Sequence, residues 1–160
     1  MTASSSFVIT GLPVEQFQPL FGLSDEALAE RGILRRTADA DRGFPCRLSI
    51  ADARKGDTLL LLNYEHQPAN TPFRASHAIF VNERVTETAR YVDEVAPALA
   101  AREHISLRAF DEAGMMVDAE VAPGADLKPA IGRLLGREDV AYLHAHYAGM
   151  GCYAARIDRA

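Results

Sequence analysis

Residues 58–65 read Thr-Leu-Leu-Leu-Leu-Asn-Tyr-Glu and contain the longest uninterrupted run of large aliphatic residues in this 160-residue chain. Four consecutive leucines make both faces of an extended segment apolar, which is typical of a strand buried inside a sheet. Lys55, Gly56 and Asp57 precede the run and have the composition of a turn. We therefore predict a central strand over 58–65, with the rest of the sheet built around it.

The clearest hairpin of the sequence pairs 105–110 with 115–121. Its turn begins with Asp111 and ends with Gly114, which suits a type I turn followed by a left-handed residue. The second strand alternates, so every other residue is expected to face the core. These core-facing residues are predicted to be Met115, Val117, Ala119 and Val121.

Other segments complete the predicted architecture. A further strand is expected at 77–81, and a closing hairpin joins 140–147 to 152–157. Apolar residues at helical spacing predict short helices, and these lie near 14–21, 25–31, 92–99 (interrupted at Pro97) and 127–135. The pattern predicts an α+β fold in a single domain over 1–160, with a mainly antiparallel sheet or a partly closed barrel and short helices packed at its ends. Residues 1–6 are predicted to form a disordered tail.

The charge balance narrows the classes of partner. The chain has 17 Lys+Arg and 22 Asp+Glu, a net charge of −5 at pH 7, so it lacks the basic surface on which nucleic-acid binding depends. No segment approaches the ~20 apolar residues of a membrane span, and the first residues do not resemble a secretory leader. We expect no nucleic-acid partner, no membrane partner and a cytoplasmic location, in which Cys46 and Cys152 remain thiols.

His144-Ala145-His146 is the sharpest local motif of the predicted closing hairpin. Side chains two residues apart on a strand share a face, so both imidazoles can approach one divalent metal ion. Two histidines do not complete a site, and a third ligand must come from elsewhere. The alternative is a pair of strand histidines that bind only carboxylates or water.

Cys152 is the nearest candidate in sequence for the third metal ligand. If Tyr147 pairs directly with Cys152, the thiol points away from the histidine face. A bulge at Gly149 or Gly151 would reverse that parity and bring the thiol onto the histidine face. The metal hypothesis therefore names His144, His146 and Cys152 and depends on the register of the hairpin.

Two further pairs are candidate catalytic residues. Tyr64 and His66 share one face at the end of the central strand, where either could act as a general acid or base, or cap the edge of the core. Cys46 is followed by Arg47, whose charge would activate an exposed thiol as a nucleophile. A buried structural cysteine is the alternative for Cys46.

Two classes of function fit these residues. The first is a small-molecule-binding or metal-assisted, enzyme-like domain with a pocket near the closing hairpin. That pocket would gather His144, His146, Tyr64 and His66, together with Cys46, Arg47 or Cys152. The second is a non-catalytic module that forms a homodimer or binds a protein partner, and it rests on the adaptable side chains of Met115, Met116 and Met150.

Several segments together resemble a bacterial family known as domain of unknown function 1203. They are Phe44-Pro45-Cys46-Arg47, Gly56-Asp57 with Leu59 through Tyr64, Ala78-Ile79-Phe80-Val81, Arg108-Ala109-Phe110-Asp111, His144-Ala145-His146 and Gly151-Cys152-Tyr153-Ala154-Ala155-Arg156. The resemblance extends over almost the whole chain, from about Phe7 to Arg159. It implies family membership and carries no activity, cofactor or site residue with it.

Overall fold

The computed structural model describes residues 6–160 and shows an α+β fold. The strands are β1 (Phe7–Thr10), β2 (Leu34–Thr37), β3 (Pro45–Cys46), β4 (Ala51–Asp52), β5 (Thr58–Gln67), β6 (Ala75–Asn82), β7 (Arg90–Val92), β8 (Ile105–Phe110), β9 (Met116–Ala122), β10 (Tyr142–Tyr147) and β11 (Tyr153–Arg159). The helices are α1 (Val14–Phe17), α2 (Asp25–Ala29), α3 (Pro97–Ala100) and α4 (Leu127–Leu135). Of the predicted tail over 1–6, residues 1–5 lie outside the described part, and the hydroxyl of Ser6 donates to the Asp93 carboxylate at 2.9 Å.

The strands form two sheets. The six-stranded sheet has the order β7-β1-β11-β10-β8-β9, and the five-stranded sheet has the order β2-β5-β6-β3-β4. All pairings are antiparallel except that of β3 with β6. The leucine-rich strand lies between two neighbours as β5, which confirms its central position, and neither sheet closes into a barrel over residues 6–160.

Apolar side chains form two main clusters, one on each side of the six-stranded sheet. On one side, α4 covers the sheet with the face that carries Leu127, Ile131 and Leu134, against Leu107 and Leu143. On the other side, the cluster contains residues of both sheets. Its members include Leu60, Leu62, Ile79 and Val81 from the five-stranded sheet and Tyr153 from β11. The second cluster therefore joins the sheets and creates the space in which the polar residues described below are buried.

The predicted core face of β9 is wrong except at Val117, which is partly buried against the core. Val121 is 60% exposed, and Met115, just before the strand, is also exposed. Register explains the error, because Glu120 rather than Val121 lies opposite the buried Leu107. The carboxylates on that face pair with the arginines of the α4 region, as Glu120 does with Arg133. An edge strand thus directs acidic side chains over the helix, where alternation alone predicted apolar ones.

Helical spacing over 92–99 is also misleading in its first half. Val92 ends the short strand β7, and a helix begins only at Pro97. Proline is tolerated at the first position of a helix because its missing amide has no partner there. Within the described residues, none of the helices is both long enough and apolar enough to cross a membrane.

Gly11 brings the end of β1 into backbone contact with the segment after β3. The amide of Leu12 donates to the carbonyl of Arg47 at 2.9 Å. A Cβ atom on Gly11 would overlap the carbonyl oxygen of Leu48, which is part of the backbone and cannot rotate away.

We expect Gly11→Ala to lower the free energy of unfolding by about 3 kcal/mol, because it forces two backbone segments apart. Gly149→Ala is the matched control, since nothing lies within 4 Å of the added Cβ, and its effect should stay within about 0.5 kcal/mol. Urea unfolding measures both. Equal stability of the two variants would contradict the close approach at Gly11.

Candidate functional site

Three histidines from the two sheets converge in the space between them. His144 and His146 project from one face of β10, and His66 reaches the same place from the end of β5. One ligand nitrogen from each residue lies within 4.8 Å of the other two. The strand period predicted the first pair, whereas the contact with His66 requires the two sheets to pack face to face. We call His66, His144 and His146 the histidine cluster.

The cluster is buried and has unsatisfied nitrogen atoms. The exposed fractions are 9% for His66, 3% for His144 and 0% for His146. Each residue has one buried ring nitrogen without a hydrogen-bond partner: Nδ1 of His66, Nδ1 of His144 and Nε2 of His146. Buried polar atoms normally have partners, so three exceptions in one place call for an explanation.

A backbone hydrogen bond determines which nitrogen of His146 is available. Its Nδ1 lies 2.8 Å from the carbonyl oxygen of Gly151. A carbonyl only accepts, so Nδ1 carries the hydrogen and Nε2 keeps a lone pair. Gly151 has φ of 81°, a left-handed conformation that glycine adopts without strain. The turn after β10 therefore orients the His146 ring.

Burial keeps all three imidazoles neutral near pH 7. It lowers the pKa of His66 to about 4 and the pKa values of His144 and His146 to about 3. The positive charge of Arg108 contributes to the lowering of all three pKa values. A neutral imidazole retains the lone pair that binds a metal ion, so the protonation state suits coordination.

Tyr153 contacts every ring of the cluster. It stacks on His66 with ring centroids 5.4 Å apart and planes 10° from parallel, and it meets His144 and His146 edge-on at 5.1 and 5.8 Å. Residue 153 lies opposite His146 because Tyr147 pairs directly with Cys152, and the β10–β11 ladder shifts register only beyond that pair, between Ala145 and His146. The contact of Tyr153 with His66 depends on the packing of the two sheets, which no local sequence pattern predicts.

Two arginines differ in how their charge is balanced beside the cluster. Arg108 is the register partner of His144 on β8, is half-buried, and forms no ion pair with any residue over 6–160. Arg156 lies opposite His144 on β11, and its guanidinium pairs with Asp158 at 3.0 Å. The cluster therefore has one cationic neighbour whose charge is not compensated.

A family model described as "Protein of unknown function (DUF1203)" matches residues 43–159. The chain belongs to this family. The match confirms the resemblance seen in the sequence, and it includes all three members of the histidine cluster. No curated protein and no solved structure matches the chain.

Cys152 is not brought to the histidine cluster in this member of the family. The amide of Tyr147 donates to the carbonyl of Cys152 at 2.9 Å, and His146 lies opposite Tyr153. The direct pairing therefore holds, and the bulge lies farther along β11 than Gly149 or Gly151. The thiol instead lines a separate cavity together with Arg47.

The remaining predicted residues separate into different places. Tyr64 packs against Phe17 with ring centroids 5.8 Å apart, and burial raises the pKa of its hydroxyl, which remains protonated. Cys46 is 1% exposed, and its sulfur accepts the backbone amides of Leu48 and Asn82 at 3.4 and 3.3 Å. These contacts match the structural alternative for Cys46, and of the four candidate catalytic residues only His66 joins the cluster.

Stability of the metal-free protein should depend on the cluster through pH. The folded pKa of His144 lies below the ordinary histidine value of 6.5, so below pH 6.5 the unfolded chain binds a proton that the folded chain does not. The stability that the neutral His144 side chain contributes is fully present above pH 6.5 and is lost as the pH falls towards 3. For chelator-treated protein, we expect His144→Leu to reduce the slope of unfolding free energy between pH 5 and 6.5 by up to about 1.4 kcal/mol per pH unit.

Urea titrations at half-unit pH intervals provide the measurement, and His104→Gln, at an exposed histidine, is the control that should keep the wild-type slope. An unchanged slope in His144→Leu would mean that His144 is protonated in the folded chain.

Proposed function

We propose that the chain binds a divalent transition-metal ion through His66, His144 and His146 and acts as a small metal-assisted enzyme on an anionic molecule. The observation that carries the proposal is the set of three buried ring nitrogens, contributed by both sheets, that lack hydrogen-bond partners. Leaving such atoms unpaired is unfavourable unless something binds them. A metal ion bound by the cluster would supply the missing partner.

The donor set favours particular metals. Three neutral imidazoles suit zinc, iron, copper or nickel, whereas calcium and magnesium require oxygen ligands. Around tetrahedral zinc, with Zn–N bonds of about 2.0–2.1 Å, ligand nitrogens lie about 3.3 Å apart. The ligand atoms of the cluster lie within 4.8 Å of one another, so binding of zinc would draw them up to about 1.5 Å closer together.

The support for His146 resembles that of known metal ligands. A metal-binding histidine almost always donates its other ring N–H to a carbonyl or carboxylate, which fixes the tautomer and the ring orientation. The Gly151 carbonyl accepts such a bond from Nδ1 of His146. This bond would hold the His146 ring for the metal.

Three protein ligands favour a catalytic rather than a purely structural role. Structural zinc sites are closed by four protein ligands, whereas catalytic sites use three and keep one position for water or substrate. Among residues 6–160, the group of candidate ligands contains no cysteine or carboxylate besides the three histidines. A water on such a metal ion becomes a nucleophile near neutral pH, which suits hydrolysis or hydration.

The uncompensated charge of Arg108 favours the binding of an anionic substrate. Its charge has no ion-pair partner in the described chain, and burial lowers its pKa. A divalent ion beside it would add further positive charge, and a negatively charged ligand would balance both. Arginine also holds carboxylates through two parallel hydrogen bonds, which orients them.

We expect chelator-treated protein, purified without an affinity tag, to bind one cobalt(II) ion per chain and to show the visible bands of a four-coordinate site. His66→Gln and His144→Gln should each weaken cobalt binding by about 100-fold or more, because even residues behind the ligands contribute 10–100-fold. Titration followed by absorbance and elemental analysis gives the stoichiometry and the affinity.

His104→Gln and His77→Gln are the matched controls, because both histidines lie outside the cluster. They should retain the wild-type affinity. Failure to retain cobalt, zinc or iron, or equal losses in the controls and the cluster variants, would overturn the proposed metal site.

Addition of azide to the cobalt-loaded protein tests the anion preference. Azide should change the cobalt spectrum, and Arg108→Gln should raise its dissociation constant about tenfold, the equivalent of about 1.4 kcal/mol. Arg156→Gln is the control, since Asp158 already balances its charge, and it should change azide binding by less than about twofold. Unchanged azide affinity in Arg108→Gln would remove Arg108 from the proposal while leaving the metal site in place.

A further inference from the structure

A separate cavity borders the closing hairpin at Tyr147, Ala148, Gly149, Met150 and Cys152. Its volume is about 620 Å³, which is in the range of pockets that take drug-sized molecules. Most of its lining is apolar, and the apolar residues include Pro45, Leu61, Ala78, Phe80, Ala148 and Met150. Arg47 and Cys152 also line it, and no member of the cluster does so among the described residues.

The charge of Arg47 is buried at this cavity without a carboxylate. Arg47 is only 2% exposed. Its Nε donates to the carbonyl of Tyr153 at 2.7 Å, and Nη1 donates to the carbonyl of Pro45. These bonds use two of the five N–H groups of a guanidinium, and a hydrogen bond to the Cys152 thiol uses a third, which still leaves donors for a ligand.

The acidic groups closest to Arg47 are not carboxylates. They are the phenol of Tyr147 and the thiols of Cys152 and Cys46. Burial raises the pKa of Tyr147, so this phenol is neutral near pH 7. Burial also lowers the pKa of Arg47, as expected for a charge that has lost water. An uncompensated buried charge is strongly destabilising.

Arg102 lies at the same cavity, but its charge is already balanced. The guanidinium groups of Arg47 and Arg102 lie 5.2 and 4.7 Å from the ring centre of Tyr147. Arg102 pairs with Asp52 at 3.2 Å, whereas Glu103, a carboxylate among the lining residues, is exposed to solvent. The excess positive charge therefore belongs to Arg47.

We infer that this cavity binds an organic monoanion, an apolar carboxylate whose charged group pairs with Arg47 and whose body occupies the apolar part. A carboxylate matches the planar fork of a guanidinium, and its charge removes the penalty of the buried cation. The apolar lining accounts for a hydrocarbon or aromatic body rather than inorganic phosphate. The inference does not depend on the metal site, because the two sites share no lining residue.

The test uses the chelator-treated full chain and three probes that differ only in their head group: octanoate, 1-octanol and octylamine. Calorimetric titration should show octanoate binding at least tenfold more tightly than either of the other two. Octanoate should also slow the alkylation of Cys152 by iodoacetamide, because Cys152 lines the cavity and is more accessible than Cys46.

Arg47→Met should remove the preference for octanoate over 1-octanol. Since this variant also loses two hydrogen bonds to backbone carbonyls, Ala78→Trp provides a second test at an exposed lining position. It fills the cavity and should weaken octanoate binding at least tenfold while the fold is retained. Arg36→Met, at an exposed arginine outside the cavity, should bind octanoate like the wild type.

Equal binding of octanoate and 1-octanol would overturn the assignment of an anion. Undetectable binding of octanoate, or octanoate binding that survives both Arg47→Met and Ala78→Trp, would overturn the assignment of the cavity. Cobalt binding by the same preparations reports on the histidine cluster alone, so the two proposals fail independently.

Discussion

Tyr153 is the residue on which both candidate sites depend. Its ring stacks on His66 and meets the edges of His144 and His146, while its backbone carbonyl accepts the Nε hydrogen of Arg47. The same side chain belongs to the apolar cluster that joins the two sheets. A single residue of β11 therefore contacts the histidine cluster through its ring and Arg47 of the cavity through its backbone carbonyl. The bulge that follows Tyr153 allows this residue to lie opposite His146 while Arg156 lies opposite His144.

Local periodicity predicted much of the fold and part of the site. The leucine run marked the central strand, and the two-residue period of β10 correctly placed His144 and His146 on one face. The approach of His66 depends on how the sheets pack, which no local pattern encodes. The same limit explains the wrongly predicted core face of β9. Its sequence alternates, but the register with β8 determines which face meets the helix. The position of Cys152 followed from hairpin parity, an alternative that only the register could decide.

The net charge of the chain does not predict the electrostatic field around individual buried residues. The chain carries −5 overall, yet Arg47 and Arg108 are both at least half-buried and both lack a carboxylate partner among the described residues. The other two half-buried arginines of the described residues, Arg35 and Arg102, pair with acidic side chains. Because low-dielectric surroundings strengthen each uncompensated charge, two arginines define positive regions within an acidic protein. The net charge of the chain does not show which arginines are unpaired. That becomes visible only when the position and the ion-pair partner of each arginine are known.

The separation of the histidines along the chain has a consequence for folding. Nearly half of the chain lies between His66 and His144, and closing a loop of that length costs entropy before any contact compensates for it. The cluster therefore requires both sheets, since β5 supplies His66 and β10 supplies His144 and His146. An ion that binds all three rings would stabilise the docked arrangement of the two sheets rather than either sheet alone.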